Sequence, residues 1–142
     1  MLDGLTHEQQ MLQESTRRFV DEEMLPHEDS IDREGHVPIE LGRQIESRAK
    51  EMGLFAANLP EHVGGGGLDY ASMAVIEREF GRTSHALHAW VARPTELLLA
   101  TEGAQKEQYL APCVTGAKRE LFALSEPEAG SDIMSMKSNA KR

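Results

Sequence analysis

Hydrophobic residues recur with helical spacing through most of the chain. Thr6 and Gln9 stand three apart, the spacing of a capping box, and predict a helix start. Met11, Leu12, Phe19, Val20 and Met24 then form an apolar stripe. Pro26 interrupts it, because proline lacks the N–H that an inner turn needs. A second helix is predicted over 38–52. Pro38 would open it, Leu41, Ile45, Ala49 and Met52 share a face, and Gly53 would follow its end. A loop over 54–68 holds Pro60 and Gly64 to Gly67. Asp69 predicts the cap of a third helix carrying Met73, Ile76 and Phe80 and ending at Gly81. Further helical pieces are expected over 84–92, from Pro94 with Leu97 to Ala100 to an end near Gly103, and over 104–115, where Pro112 bends or breaks the last.

The pattern changes after Gly116. Residues 120–125 read as a short strand, and Pro127, Gly130 and Asp132 mark a turn. Met136, Ser138 and Ala140 alternate with polar neighbours as in a second strand. The expectation is a mainly α chain of five or six helices, followed by the first strands of a truncated β-domain. A strand at the end of a chain leaves its edge unpaired, and truncation is expected on that ground.

Composition narrows the class. At 142 residues, 39% hydrophobic and 27% charged, the chain reads as one globular domain with a real core. A formal net charge of −9 repels nucleic acid and anionic membranes, so neither is expected as a partner. An anionic cofactor stays possible, because a local group of backbone N–H donors binds phosphate in an acidic protein. Cys113 is the lone cysteine, which excludes an internal disulfide and reads as a small buried hydrophobe. No apolar run is long enough to span a bilayer. The first ten residues lack the basic start and apolar stretch of a signal peptide, and a cytoplasmic location is expected.

The segment Phe122-Ala123-Leu124-Ser125-Glu126-Pro127-Glu128-Ala129-Gly130-Ser131-Asp132 resembles the signature of the acyl-CoA dehydrogenase family, a strand followed by T/S-E-P-x-A-G-S-D. Leu59-Pro60-Glu61-His62-Val63-Gly64-Gly65-Gly66-Gly67-Leu68-Asp69 is similar to that family's P-E-x-x-G-G-x-G-L-D loop. Gln105 and Lys106, with Tyr109, Leu110 and Gly116, resemble its Q-K-x-x-Y-L-x-x-x-x-x-G segment. The three occur in family order. Ser125, where threonine is also common, keeps the hydroxyl, and Ala100 stands where the family usually has glycine.

The resemblance implies an N-terminal helical domain over 1–117 and the incomplete start of the middle β-domain over 118–142. It implies FAD as cofactor and α,β-dehydrogenation of an acyl-CoA thioester to a 2-enoyl-CoA. The implied cofactor-binding set is Phe122, Leu124, Ser125, Gly130 and Ser131, with Leu124 and Ser125 on the isoalloxazine ring and Ser125 near N5. Ser131 also falls on the CoA side of the substrate, and Gly130 is expected to supply freedom of φ in the turn. The family's catalytic base is a glutamate in a later helical region, expected beyond Arg142, so no catalytic residue is assigned here. Electron-transfer flavoprotein or a similar acceptor is the implied partner, and a homo-oligomer, dimer or tetramer, the implied assembly.

Simpler readings stand beside these. Ser-Glu-Pro followed by Gly-Ser-Asp is also ordinary turn chemistry, and Glu126, Glu128 and Asp132 belong to that reading. His85 and His88 stand three apart without a third ligand beside them, so they read as capping or surface residues and no metal is expected. Gly64 to Gly67 follow a helix rather than a strand and read as a flexible loop, not a dinucleotide motif. Asp21 to Glu23 read as a solvated helix face. Relatives of this fold with other chemistry remain open: acyl-CoA oxidase, nitroalkane oxidase and flavin monooxygenase, as does a non-catalytic helical interaction module.

Overall fold

The computed structural model describes residues 4–91 and 93–141. Ala92, at the far end of the predicted fourth helix, lies outside them.

Helix α1 (His7–Phe19) starts where its capping box predicts, with Gln9 N–H on Thr6 Oγ1 and Thr6 N–H on Gln9 Oε1, each at 3.2 Å. Its path continues as a π-helical turn, Val20–Met24, and a 3-10 turn, Leu25–His27, containing Pro26. A proline that cannot donate loosens the ladder just before it. Helix α2 (Glu28–Glu34) follows and ends at Gly35 in the left-handed conformation. The apolar pattern did not predict it, because Ile31 is its one buried residue and leaves no stripe to read.

Helix α3 (Ile39–Glu51) buries Gly42, Ile45 and Ala49, with Pro38 at the N-cap, one position before the place predicted for it. Helix α4 (Tyr70–Phe80) is capped by the Asp69 carboxylate, which accepts from Ser72 N–H at 2.7 Å. Helix α5 (His85–His88) is shorter than expected. The piece predicted after Pro94 is a 3-10 turn, Glu96–Ala100. The last predicted helix divides into a π-helical turn, Lys106–Leu110, and helix α6 (Ala111–Val114), with Pro112 in the first turn of α6.

The main core lies between α1 and α4 and takes in α3 and α5. Phe19, Met24, Ile45, Ile76, Phe80 and Leu87 are buried there, and Phe19 meets Phe80 edge-on at 6.2 Å between ring centroids. A second cluster joins Phe55, Ala56 and Leu59 to Leu110 and Val114. Cys113 is buried on α6, and desolvation pushes its thiol pKa up. Between α1 and α4 lies one buried carboxylate, Glu79. Its donors are Gln13 Nε2 at 2.8 Å and Arg17 Nε and Nη2 at 2.9 and 3.0 Å.

Two expectations are corrected. Among the described residues there is no β-strand. Residues 120–125, read as a short strand, and 136–140, which alternate, have no second segment paired with them. A strand exists through its ladder partner, and alternation alone does not make one. The glycine loop is also not loose. Gly65, Gly66 and Gly67 N–H donate to Pro60, Ala56 and Leu59 carbonyls at 3.1, 3.1 and 2.8 Å. A Cβ on Gly65 would stand 2.1 Å from the Leu59 carbonyl oxygen, so the loop closes on backbone that only glycine admits.

Candidate functional site

The signature segment leaves the helical body after α6 and lies on the surface. Among the described residues, the backbone N–H and C=O groups of residues 121–125 have no hydrogen-bond partner. Phe122 is 78% exposed, Leu124 is half-buried, and Ser125 is exposed with its hydroxyl free of protein partners. This is an open row of donors and acceptors ending in a short hydroxyl. A flat heteroaromatic ring with edge acceptors and donors fits such a row, and so does a neighbouring strand.

The residues that follow hold themselves in place. Glu126 and Ala129 exchange backbone hydrogen bonds at 2.9 and 3.2 Å across Pro127 and Glu128. The Glu126 carboxylate accepts from Lys137 and Ser138 N–H, both at 2.9 Å. Those bonds, the Lys137 N–H first, hold its pKa below the ordinary carboxylate range. Asp132 accepts from Met134 N–H at 3.2 Å and caps the 3-10 turn Ile133–Ser135. Asp132 thus satisfies a local turn N–H, whereas the Glu126 carboxylate reaches N–H groups eleven and twelve residues on. Gly130 does not use left-handed φ, contrary to expectation, because the turn closes one residue earlier through Glu126 and Ala129. Ser131 lies exposed just beyond that turn.

Where the segment begins, Leu121 and Glu120 form one wall of a cavity of about 480 Å³, opposite His88, Ala89, Arg93 and Pro94. His88 stacks on Phe80 at 5.3 Å between centroids, and its Nε2 lies 3.4 Å from Glu77 Oε2. Arg93 Nη1 reaches the other Glu77 oxygen at 3.3 Å. Burial pushes the His88 pKa down against the pull of Glu77, and the His85 and Arg93 charges add to the fall. His88 is therefore a cavity-lining residue rather than the surface residue that spacing implied. His85 meets it edge-on at 6.4 Å.

Sequence reasoning also passed over Lys118, Arg119 and Glu120. They stand immediately before the signature, and each bonds a different part of the helical body. The available signal was three charged residues in a row, which ordinarily marks a solvated surface.

A family model described as acyl-CoA dehydrogenase, N-terminal domain, matches residues 6–117. A probable acyl-CoA dehydrogenase of Bacillus subtilis (strain 168) is 33% identical over 97% of this chain and 23% of its own length. A subunit of a caffeyl-CoA reductase–Etf complex from Acetobacterium woodii is 32% identical over 95% of this chain and 36% of its own length. A crystal structure of an acyl-CoA dehydrogenase complexed with FAD from Bacillus anthracis superposes with a TM-score of 0.77. It is 29% identical and covers 95% of this chain and 23% of that one. The chain thus spans 23–36% of the length of these relatives.

Proposed function

The chain belongs to the acyl-CoA dehydrogenase family, as its N-terminal domain, and from that premise we propose that it is part of an FAD-dependent enzyme oxidising acyl-CoA thioesters to 2-enoyl-CoA. In this reading residues 1–117 are the helical domain and residues 118–142 open the flavin-contact domain. The observation that carries it is the open row of backbone groups over 121–125, ending at Ser125 in signature order.

FAD, when bound there, supplies a hydride acceptor for the β-carbon of the thioester. Leu124 offers its side chain and backbone to the ring face and edge. The Ser125 hydroxyl would stand near N5 of a bound flavin and could donate a hydrogen bond at that edge, favouring the reduced ring, on which negative charge grows. Phe122 and Gly130 complete the cofactor surface, and Ser131 lies on the CoA side. The general base is assigned to no residue of this chain.

Electrons pass onward to electron-transfer flavoprotein or a similar acceptor. The name of the Acetobacterium woodii relative, an Etf complex, supports that partner. That relative is named a reductase, which favours a second reading in which the same site runs in the opposite direction. A homo-oligomer, dimer or tetramer, and a cytoplasmic setting complete the proposal. No helix among the described residues is long and apolar enough to cross a membrane.

The test compares this chain with the longer flavoprotein proposed to carry it. Both are purified with excess FAD, and anaerobic bleaching by an acyl-CoA is followed at the flavin absorbance. The longer protein is expected to stay yellow and bleach, and the 142-residue chain to do neither. A longer protein that retains no flavin overturns the reading.

A further inference from the structure

We infer that Arg119 is a positioning residue. With Lys118 and Glu120 it forms a three-point clamp that fixes how Leu121–Ser125 leaves the helical body, and so where Ser125 stands relative to the cavity beside α5. The inference rests on the flavin reading for its consequence, not for its geometry.

The three consecutive side chains reach three separate elements. Lys118 Nζ donates to the Gln108 carbonyl at 2.9 Å, on the π-helical turn before α6. Glu120 accepts from Thr95 N–H, at the start of the turn Glu96–Ala100. Arg119 makes the richest set. Its Nη1 donates to the Ala89 carbonyl at 2.7 Å, and its Nη2 to Glu46 on α3 at 2.5 Å. Its guanidinium also lies 4.3 Å from the centroid of the Trp90 ring. A carbonyl, a carboxylate and an aromatic face together use the planar fork in a way lysine cannot copy.

The surroundings are built for that seat. Trp90 also lies against α3 at Gly42, where a Cβ would stand 2.1 Å from the indole ring. Glu46 is shared, since it also accepts from Lys50 Nζ at 2.5 Å. Gly42 and Glu46 of α3 thus each touch one member of the Trp90–Arg119 pair. Beyond the clamp, residues 121–125 make no hydrogen bond to the body, so their direction is inherited from residues 118–120. The same Glu120 and Leu121 form a wall of the cavity. Loosening the clamp changes the separation between a cavity occupant and Ser125.

The clamp is tested on this chain by pulsed electron paramagnetic resonance. Spin labels are placed through Ala123→Cys and Arg78→Cys, both exposed, in a Cys113→Ala background. The unaltered clamp is expected to give one narrow distance distribution, Arg119→Ala a clearly broadened one, and Arg119→Lys an intermediate width. Should Arg119→Ala fail to fold by circular dichroism, Glu120→Gln loosens the same segment from its other anchor. An unchanged narrow distribution in every folded variant overturns the clamp.

The second arm uses the longer flavoprotein. Arg119→Ala is expected to slow flavin reduction about 10- to 100-fold, as a displacement near 1 Å does, with acyl-CoA binding within about twofold. A broadened distribution with unchanged reduction overturns the positioning role. A longer protein that binds no FAD overturns the flavin reading, while the label distances still decide the clamp.

Discussion

Glu79→Gln is the sharpest test of how the helical body holds together. The Glu79 side chain is 1% exposed, yet ionised. Burial pulls its pKa up, but the bonds from Arg17 and Gln13 and the charges of Arg17 and Arg82 outweigh that, leaving it below the ordinary range. The amide keeps the shape and one acceptor for Gln13. It loses the charge that Arg17 grips and turns an NH2 group toward a guanidinium that cannot accept. Hydrogen bonds to charged groups contribute about 1.5–3 kcal/mol, and the loss is expected in that range. With urea slopes of about 1–3 kcal/mol/M, the unfolding midpoint should fall by roughly 1 M.

The pH dependence has a definite sign. Because the folded pKa is depressed, the carboxylate's contribution is complete above its unfolded pKa, about 4.3. It is lost as pH falls through the folded value. The gap between wild type and Glu79→Gln should therefore be widest near neutrality and narrow in acid. Urea unfolding followed by circular dichroism at several pH values measures it. A neutral-pH loss under about 0.5 kcal/mol, or a gap that does not narrow, would refute the assignment of a buried ionised pair.

Other outcomes follow from named contacts. Gly65→Ala places a Cβ 2.1 Å from a backbone oxygen rather than a flexible side chain, so overpacking should cost at least about 1–3 kcal/mol in chemical denaturation. Leu87→Ala removes a fully buried side chain and should cost about 2–5 kcal/mol by the same measurement. His88 should titrate below the ordinary histidine value by NMR, and Glu77→Gln should lower it further by removing the attractive carboxylate.

Local chemistry was legible in advance and non-local chemistry was not. The Thr6–Gln9 box and the Asp69 cap depend on residues three apart, and both form where the spacing predicts. Helix α2 escaped because a short helix with Ile31 as its one buried residue shows no period. The strand readings at 120–125 and 136–140 misled because a ladder needs a second segment at hydrogen-bond distance. Gly64 to Gly67 looked flexible because the carbonyls that Gly65 to Gly67 close on come from residues 56–60, after the chain has turned back. The Ser125 segment was legible only as a motif, since its chemistry lies in groups it leaves unpaired. Arg119 was not legible at all, because Glu46, Ala89 and Trp90 meet it only through the packing of α3 and α5.

Stopped-flow reduction of the flavin by saturating acyl-CoA, comparing Ser125→Ala with wild type in the longer flavoprotein, tests the central claim most directly. Loss of a hydrogen bond that would favour the reduced flavin over the oxidised one should slow reduction roughly 10- to 100-fold, at about 1.36 kcal/mol per factor of ten. Ser125→Thr keeps the hydroxyl and should reduce at nearly the wild-type rate, while Ser131→Ala should mainly weaken acyl-CoA binding. If Ser125→Ala reduces as fast as wild type, Ser125 is a turn residue and the flavin-contact assignment is wrong.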